Sequence, residues 1–150
     1  MILVTGATGF IGSHLMCLLV QKDVFPVAMF RHESNKNNVW KLFESKFSDA
    51  KERYEKITWR KADLRDLPSL NQAFEGVTHV YHCAGYISLA QRDVKKLLEI
   101  NEQGSAYLVN LCLSHSIKKL VYVSSIAALG NEPTSSIIDE NTPWEKNMDK

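Results

Sequence analysis

Three cysteines, Cys17, Cys83 and Cys112, are all that the 150 residues contain. The count is odd and the spacing fits no metal-ligand pattern, so neither a disulfide framework nor a metal centre is expected. Reduced, buried thiols in a cytoplasmic protein are the natural reading. None of the three sits in an evident electropositive loop, which argues against a catalytic cysteine. Long apolar runs are missing too: none approaches the ~20 residues that a membrane span needs. The N-terminus lacks the basic lead and cleavage site of a signal peptide. Charge of one sign is not in excess. Eighteen Lys and Arg against seventeen Asp and Glu leave a net charge of +1, so no bulk attraction to nucleic acid or to a membrane surface is expected. There is no Gly-x-x-x-x-Gly-Lys phosphate loop and no Gly-x-Ser-x-Gly nucleophile elbow. Glycine is sparse, with seven in the whole chain, yet three of them fall in the first twelve residues.

Those residues read MILVTGATGFIG. A short apolar run, Ile2 to Val4, reaches Thr5 and then Gly6, Gly9 and Gly12, after which SHLMCLLVQK reads as a helix. A strand, a glycine-rich turn and an opening helix form the arrangement that receives a dinucleotide pyrophosphate. Gly6 permits the tight turn, Gly9 lets the diphosphate approach the backbone, and Gly12 lets the helix pack closely. The unpaired N–H groups at the helix start would face the anion. The phosphates are therefore expected over Thr8, Gly9, Phe10 and Ile11.

Strand-like and helical patterns alternate along the rest of the chain. Strands are expected at Ile2–Val4, Val24–Phe30, Ile57–Ala62, Val77–Ala84 and Leu120–Val123. Val39, Leu42, Phe43, Phe47, Ala50 and Tyr54 recur at helical spacing and predict one long helix with a core-facing aromatic stripe. Asp66 is placed to cap a short helix with Pro68 in its first turn, Leu67, Leu70 and Phe74 inward, and Gly76 at its end. Another helix is expected over Val94 to His115. Beyond Gly130 the pattern dissolves into a loop. Five strands joined by helical crossovers imply a Rossmann-type α/β fold, a doubly wound parallel sheet of order 3-2-1-4-5 in one domain spanning 1–150. Its ligands bind at the carboxyl ends of the strands where that order reverses, between the first and fourth.

Several polar residues fall at those ends. Arg31 follows the second strand, where an arginine suits a ribose 2′-phosphate, and it favours NADP over NAD, though NAD is not excluded. The alternative is a solvated arginine. Lys36 is either a second phosphate contact or a surface charge. Asp63, followed by Leu64, closes the third strand and is either an acceptor for the adenine amine or a turn cap. Cys83, Ala84 and Gly85 follow the fourth strand, where small residues let the backbone lie close to a cofactor. His82 lies in a buried run and reads as a hydrogen-bonded core histidine. Ser124 and Ser125 end the fifth strand and could orient a substrate oxygen.

Together these residues resemble the extended short-chain dehydrogenase/reductase family, the NAD-dependent epimerase/dehydratase group. The matching segments are TGATGFIGSHL at 5–15, ADL at 62–64, HVYHCAG at 79–85, NEQGS at 101–105 and KKLVYVSSIAALG at 118–130. Within the group, Arg31 and WRKADL at 59–64 look most like the dihydroflavonol 4-reductase-like and 3β-hydroxysteroid dehydrogenase-like branch. The resemblance implies a catalytic role for Ser125 and a bracing role for Asn101. It also implies a catalytic Tyr-x-x-x-Lys pair, which these residues do not contain: none of the five tyrosines has Lys four residues on. The chain reads as the N-terminal portion of such an enzyme, truncated after the fifth strand. The portion should bind cofactor, be catalytically silent alone and associate through the exposed edge of its fifth strand. The implied function is hydride transfer between a nicotinamide cofactor and the carbonyl or alcohol carbon of a small-molecule substrate. The full-length protein could form a homodimer. The alternative function is a non-enzymatic NADP-binding sensor or regulatory module.

Overall fold

The computed structural model describes residues 1–125, 128, 139, 140 and 142. Most of the loop expected after Gly130, and residues 126, 127, 129 and 130 of the 118–130 match, lie outside them. Five strands, β1 (Ile2–Thr5), β2 (Val27–Phe30), β3 (Thr58–Lys61), β4 (His79–His82) and β5 (Lys119–Tyr122), form one sheet of order β3-β2-β1-β4-β5. Every pairing is parallel. This is the expected doubly wound topology. β2, β3 and β4 are shorter than their apolar runs, β1 extends one residue further to Thr5, and β5 starts and ends one residue earlier than expected. Pro26 has no N–H for a ladder, so β2 begins only at Val27. Single backbone bonds such as Cys83 N–H to Thr5 O (3.2 Å) and Val123 N–H to His82 O (3.0 Å) carry pairing just past the assigned ends.

Successive strand residues point to opposite faces, so each face has its own core. Leu3, Val27, Met29 and Val80 pack with Leu70 and Phe74, from the segment between β3 and β4, and with Leu108 and Leu111. Val4 and Ala28 pack on the other face with Met16, Val20, Val39 and Phe43. Helix α1 (Phe10–Gln21) buries Gly12, Ser13, Met16, Cys17 and Val20, one stripe at helical spacing. The fully buried Phe43, Phe74, Leu3 and Met16 each stabilise the fold by roughly 1.5–3 kcal/mol.

The expected single helix over 39–54 is two helices, α2 (Lys36–Lys46) and α3 (Ala50–Glu55). The chain breaks at Phe47, whose φ of −128° and ψ of 132° are extended. Ser48 and Asp49 follow, residue types whose side chains compete for backbone in turns. The Asp49 carboxylate accepts Arg53 Nε at 2.8 and 2.9 Å, and Arg53 also donates to the Val20 carbonyl (2.8 Å), tying α3 to the end of α1. The aromatic stripe survives the break because Phe43 meets both Phe47 and Tyr54, at centroid distances of 5.3 and 5.8 Å.

Helix α4 (Leu67–Ala73) buries Leu70, and Phe74 just beyond it is buried too, but Leu67 is 45 % exposed rather than inward. Leu67 sits at the helix start, before the buried stripe begins. The Asp66 side chain makes no cap bond; Ser69 Oγ instead donates to the Asp66 carbonyl (3.0 Å). The helix stops at Ala73 with Phe74 as its C-cap, earlier than expected, and Gly76 takes φ +68° in the turn that follows. After β4 the helical stretch runs through α5 (Val94–Leu97), a π-helical segment (Leu98–Gln103) and α6 (Gly104–Ser114).

His82 is 1 % exposed and lies between Thr5 Oγ1 on Nδ1 (2.6 Å) and Ser105 Oγ on Nε2 (3.1 Å). Ala84 N–H donates to the same Thr5 oxygen (3.3 Å). One arrangement satisfies all of them: Thr5 donates to Nδ1, and a neutral imidazole donates from Nε2 to Ser105. Burial lowers the His82 pKa from 6.5 to about 4. An unfolded histidine takes up its proton near pH 6.5 and the folded one does not. Stability is therefore full above that pH and falls as pH drops from 6.5 towards 4, by about 3 kcal/mol in all. Urea denaturation across this range should show that slope, and His82→Gln should flatten it. An equal slope in the variant would locate the titrating group elsewhere.

Candidate functional site

The carboxyl ends of β1 to β4 enclose a cavity of about 230 Å³. Its floor is the turn between β1 and α1. Gly6 has φ +64°, and a Cβ there would stand 2.7 Å from both Cα and N of Ala84. Only glycine meets both constraints. The turn closes with Gly9 N–H to Gly6 O (2.9 Å), and Ser13 N–H to Gly9 O (2.9 Å) starts the helix. Gly12 is buried. A Cβ on it would collide with the Gly6 carbonyl, 2.7 Å from the carbon, and with Ala7 Cα at 2.9 Å. Gly9 is different: it is extended (φ −83°, ψ 176°), and a Cβ there would meet only Gly6 O, at 3.2 Å. The start of α1 carries no side-chain cap and no acid in its first turn, so its N–H groups keep their affinity for an anion.

The cavity gathers most of the residues singled out from sequence. Gly6, Thr8 and Gly9 line it from the turn, Arg31 from β2, Asp63 and Leu64 from β3, and Cys83, Ala84 and Gly85 from β4. Phe10, Ile11 and Gly12 do not line it. Phe10 and Ile11 are 82 % and 51 % exposed on the first turn of α1, where they can offer only backbone N–H groups. Ser125 is exposed beyond the end of β5 and is not part of the cavity wall; its carbonyl accepts Ala128 N–H (3.0 Å).

Arg31 is exposed, lines the cavity and forms no hydrogen bond or ion pair among the described residues. Lys36 is engaged elsewhere: its Nζ is 2.8 Å from Glu33 and 3.8 Å from the Phe30 ring centroid. Asp63 closes a turn, accepting the backbone N–H of Arg65 (3.0 Å) and its guanidinium at 3.0 and 3.2 Å. The Arg65 hydrogen bond holds the Asp63 carboxyl below its ordinary range, and Arg31 adds a weaker pull. The turn role does not remove Asp63 from the cavity wall.

All three cysteines are free, and burial pushes each thiol up, Cys17 to about 11. A raised pKa leaves little thiolate at neutral pH, so Cys83 is a wall residue rather than a nucleophile. Asn35, Phe30, Tyr86 and Ile100 also line the cavity and were not anticipated. Asn35 belongs to a polar turn after β2, and Ile100 to a distant helix that local spacing could not place there. Asn101 does brace the site: its amide accepts Tyr86 N–H and donates to Tyr86 O, both at 2.8 Å. It does so from the π-helical segment, an irregularity frequent at functional sites.

Residues 2–148 match the NAD dependent epimerase/dehydratase family. Sterol demethylase protein B of Methylococcus capsulatus is 30 % identical over 149 residues, 98 % of this chain and 42 % of that protein. A putative dihydroflavonol 4-reductase of Synechocystis sp. is 30 % identical over 145 residues, 95 % of this chain and 38 % of that protein. The chain thus spans about two-fifths of the length of these relatives. Among solved structures, Thermus thermophilus UDP-glucose 4-epimerase in complex with NAD superposes with a TM-score of 0.71 at 25 % identity, over 96 % of this chain and 44 % of that one. The structure of gox2253 gives a TM-score of 0.76 at 28 % identity, over 96 % and 40 %.

The glycines make a contrast that can be measured. Gly12→Ala forces a methyl into the Gly6 carbonyl and should cost about 3 kcal/mol of stability. Gly9→Ala needs only a few tenths of an ångström of give and should stay within about 1 kcal/mol of wild type. Thermal or urea denaturation of both variants checks this; equal losses would mean that the two glycines share one role.

Proposed function

The chain belongs to the NAD dependent epimerase/dehydratase family, and from that premise we propose that it is the NADP(H)-binding portion of an oxidoreductase. The reaction moves hydride between the cofactor and a carbonyl or alcohol carbon of a small molecule, in a cytoplasmic setting suited to free thiols. The observation that carries this reading is the cavity itself. The open backbone of Gly9 lies there between the Arg31 guanidinium, which has no ion pair among the described residues, and the small residues Cys83, Ala84 and Gly85.

The residues present fit the group. Gly6, Thr8 and Gly9 would hold the diphosphate beside the start of α1, where backbone N–H groups point outward. Arg31 and Asn35 would face the adenosine ribose, with Asp63 and Leu64 beside the adenine. Arg31 favours a 2′-phosphate, because a guanidinium without a carboxylate partner matches phosphate geometry. Ala84, Gly85 and Tyr86 then flank the other half of the dinucleotide. The bound cofactor would supply the hydride. Ser125 would donate a hydrogen bond to the substrate oxygen and hold it in place. A serine hydroxyl is a poor acid at neutral pH, so the proton must come from a stronger group than these residues offer. Substrate binding alone therefore gives no turnover with this chain.

Fluorescence titration with NADPH and NADH tests the site. Arg31→Ala should lose ~1.5–3 kcal/mol towards NADPH, about 10- to 150-fold in Kd, and little towards NADH. Gly9→Val, which blocks the diphosphate, should weaken both cofactors alike. An unchanged NADPH/NADH ratio would make Arg31 a surface charge. Unchanged affinity in folded Gly9→Val would remove the turn from the site.

A further inference from the structure

We propose that Asp93 is a positioning residue for the half of the dinucleotide beyond the diphosphate. It holds the segment Tyr86–Ala90 in the shape that closes the β4 side of the cavity. The inference rests on the cofactor reading above.

Residues 83–90 belong to no helix or strand, so their shape has to come from side chains. Asp93 provides it. Its Oδ2 accepts Ser88 Oγ at 2.6 Å and the Tyr86 hydroxyl at 3.2 Å. Ser88 Oγ in turn accepts Ala90 N–H at 3.2 Å, and Asp93 N–H donates to the Ala90 carbonyl at 2.9 Å. Both ends of the short segment are thus fastened to one carboxylate and its own backbone. An ionised acceptor makes these bonds stronger than neutral ones.

The same helical stretch grips the segment a second time. Asn101 takes both the N–H and the carbonyl of Tyr86, each at 2.8 Å, from further along the stretch. Lys96 lies between the two grips with Nζ 3.9 Å from the Tyr86 ring centroid. Tyr86 is therefore fixed at its backbone by Asn101, at its hydroxyl by Asp93 and across its ring by Lys96. It is also the segment's cavity-lining residue. Alternation does the rest: with Tyr86 and Ser88 drawn inward, Ile87 and Leu89 are turned out, 93 % and 104 % exposed. The Asp93 carboxylate is what holds the two hydroxyls of Tyr86 and Ser88 inward.

The lateral order of the sheet gives the proposal its specificity. Arg31 and Asp63 stand at the ends of β2 and β3, on one side of β1, whereas Tyr86 follows β4 on the other. A ligand that occupies only the β2–β3 side does not need the Asp93 clamp. A whole dinucleotide does.

The experiment is a pair of titrations on the 150-residue chain, with NADPH and with adenosine 2′,5′-bisphosphate. Wild type should bind both. Asp93→Ala should weaken NADPH at least about tenfold while the bisphosphate stays within about twofold, which also shows that the variant is folded. Asp93→Asn keeps an acceptor oxygen and should restore most of the NADPH affinity. The double variant Tyr86→Phe, Ser88→Ala removes the two donors without touching Asp93 and should reproduce the loss. NADPH binding by Asp93→Ala or by the double variant at wild-type strength would overturn the proposal. So would equal losses for both ligands, or no recovery in Asp93→Asn. Failure of wild type to bind either ligand would instead bring down the cofactor reading, and this inference with it.

Discussion

The molecule turns on the contact between Gly6 and the Ala84 backbone. β1 and β4 are neighbours, and at their carboxyl ends the chain leaves in two directions. The Gly6 Cα lies so close to Ala84 that no side chain fits between them, and its φ of +64° sends the chain into a turn at once. That turn aims the Gly6 carbonyl at the start of α1, which is why Gly12 must also lack a side chain. The two glycines therefore act as one device: the first lets β1 end against β4, and the second lets the helix return over the same carbonyl. The cavity is the space left where the segments after β1, β2 and β4 diverge, as expected at the point where a doubly wound sheet reverses its order.

Beneath this turn lies a buried polar line, Ala84 N–H to Thr5, Thr5 to His82 and His82 to Ser105. It joins β1, β4 and α6 directly under the cavity. Buried polar groups are costly unless satisfied, and a satisfied line of this kind permits few alternative packings. With both ring nitrogens engaged and its pKa held near 4 by burial, His82 cannot exchange protons with a ligand at neutral pH. Its work is to register the two strands that carry the site. Gly104 adds to the same framework from α6: a Cβ there would stand 2.8 Å from the Leu64 Cβ, so the helix lies against the residue that follows Asp63.

Sequence alone carried the topology well, because a parallel sheet writes itself as apolar runs alternating with helical stripes. The glycine turn was legible because its constraints are local: spacing, a preceding strand and a following helix. His82 was legible as a core residue from its apolar neighbours. The break at Phe47 was not, since aromatic contacts from Phe43 to Phe47 and Tyr54 keep a helix-like spacing across two separate helices. Leu67 was misplaced because one apolar residue at a helix start has no periodic partner to fix its face. Asn35, Tyr86 and Ile100 were missed for another reason. Their place in the wall depends on the distance between the ends of β2 and β4 and on a helix that begins at Val94, none of which is a local property.

The charges around the cavity divide the labour of recognition. Glu33 neutralises Lys36, and Arg65 takes up Asp63, so two of the nearby pairs are closed within the protein. Among the described residues, Arg31 has a long-range attraction to Asp63 and no ion pair. A closed pair sets the shape of a turn and changes little when a ligand arrives. A guanidinium in the cavity wall with no ion pair among the described residues is open to an anion. The clamp on the opposite wall follows the converse logic: Tyr86, Ser88 and Asp93 spend their hydrogen bonds on one another and leave a fixed surface. One wall therefore presents charge and the other a held shape. For the proposed dinucleotide, charge would select at the β2 end and shape at the β4 end, and neither selection requires a group able to transfer a proton.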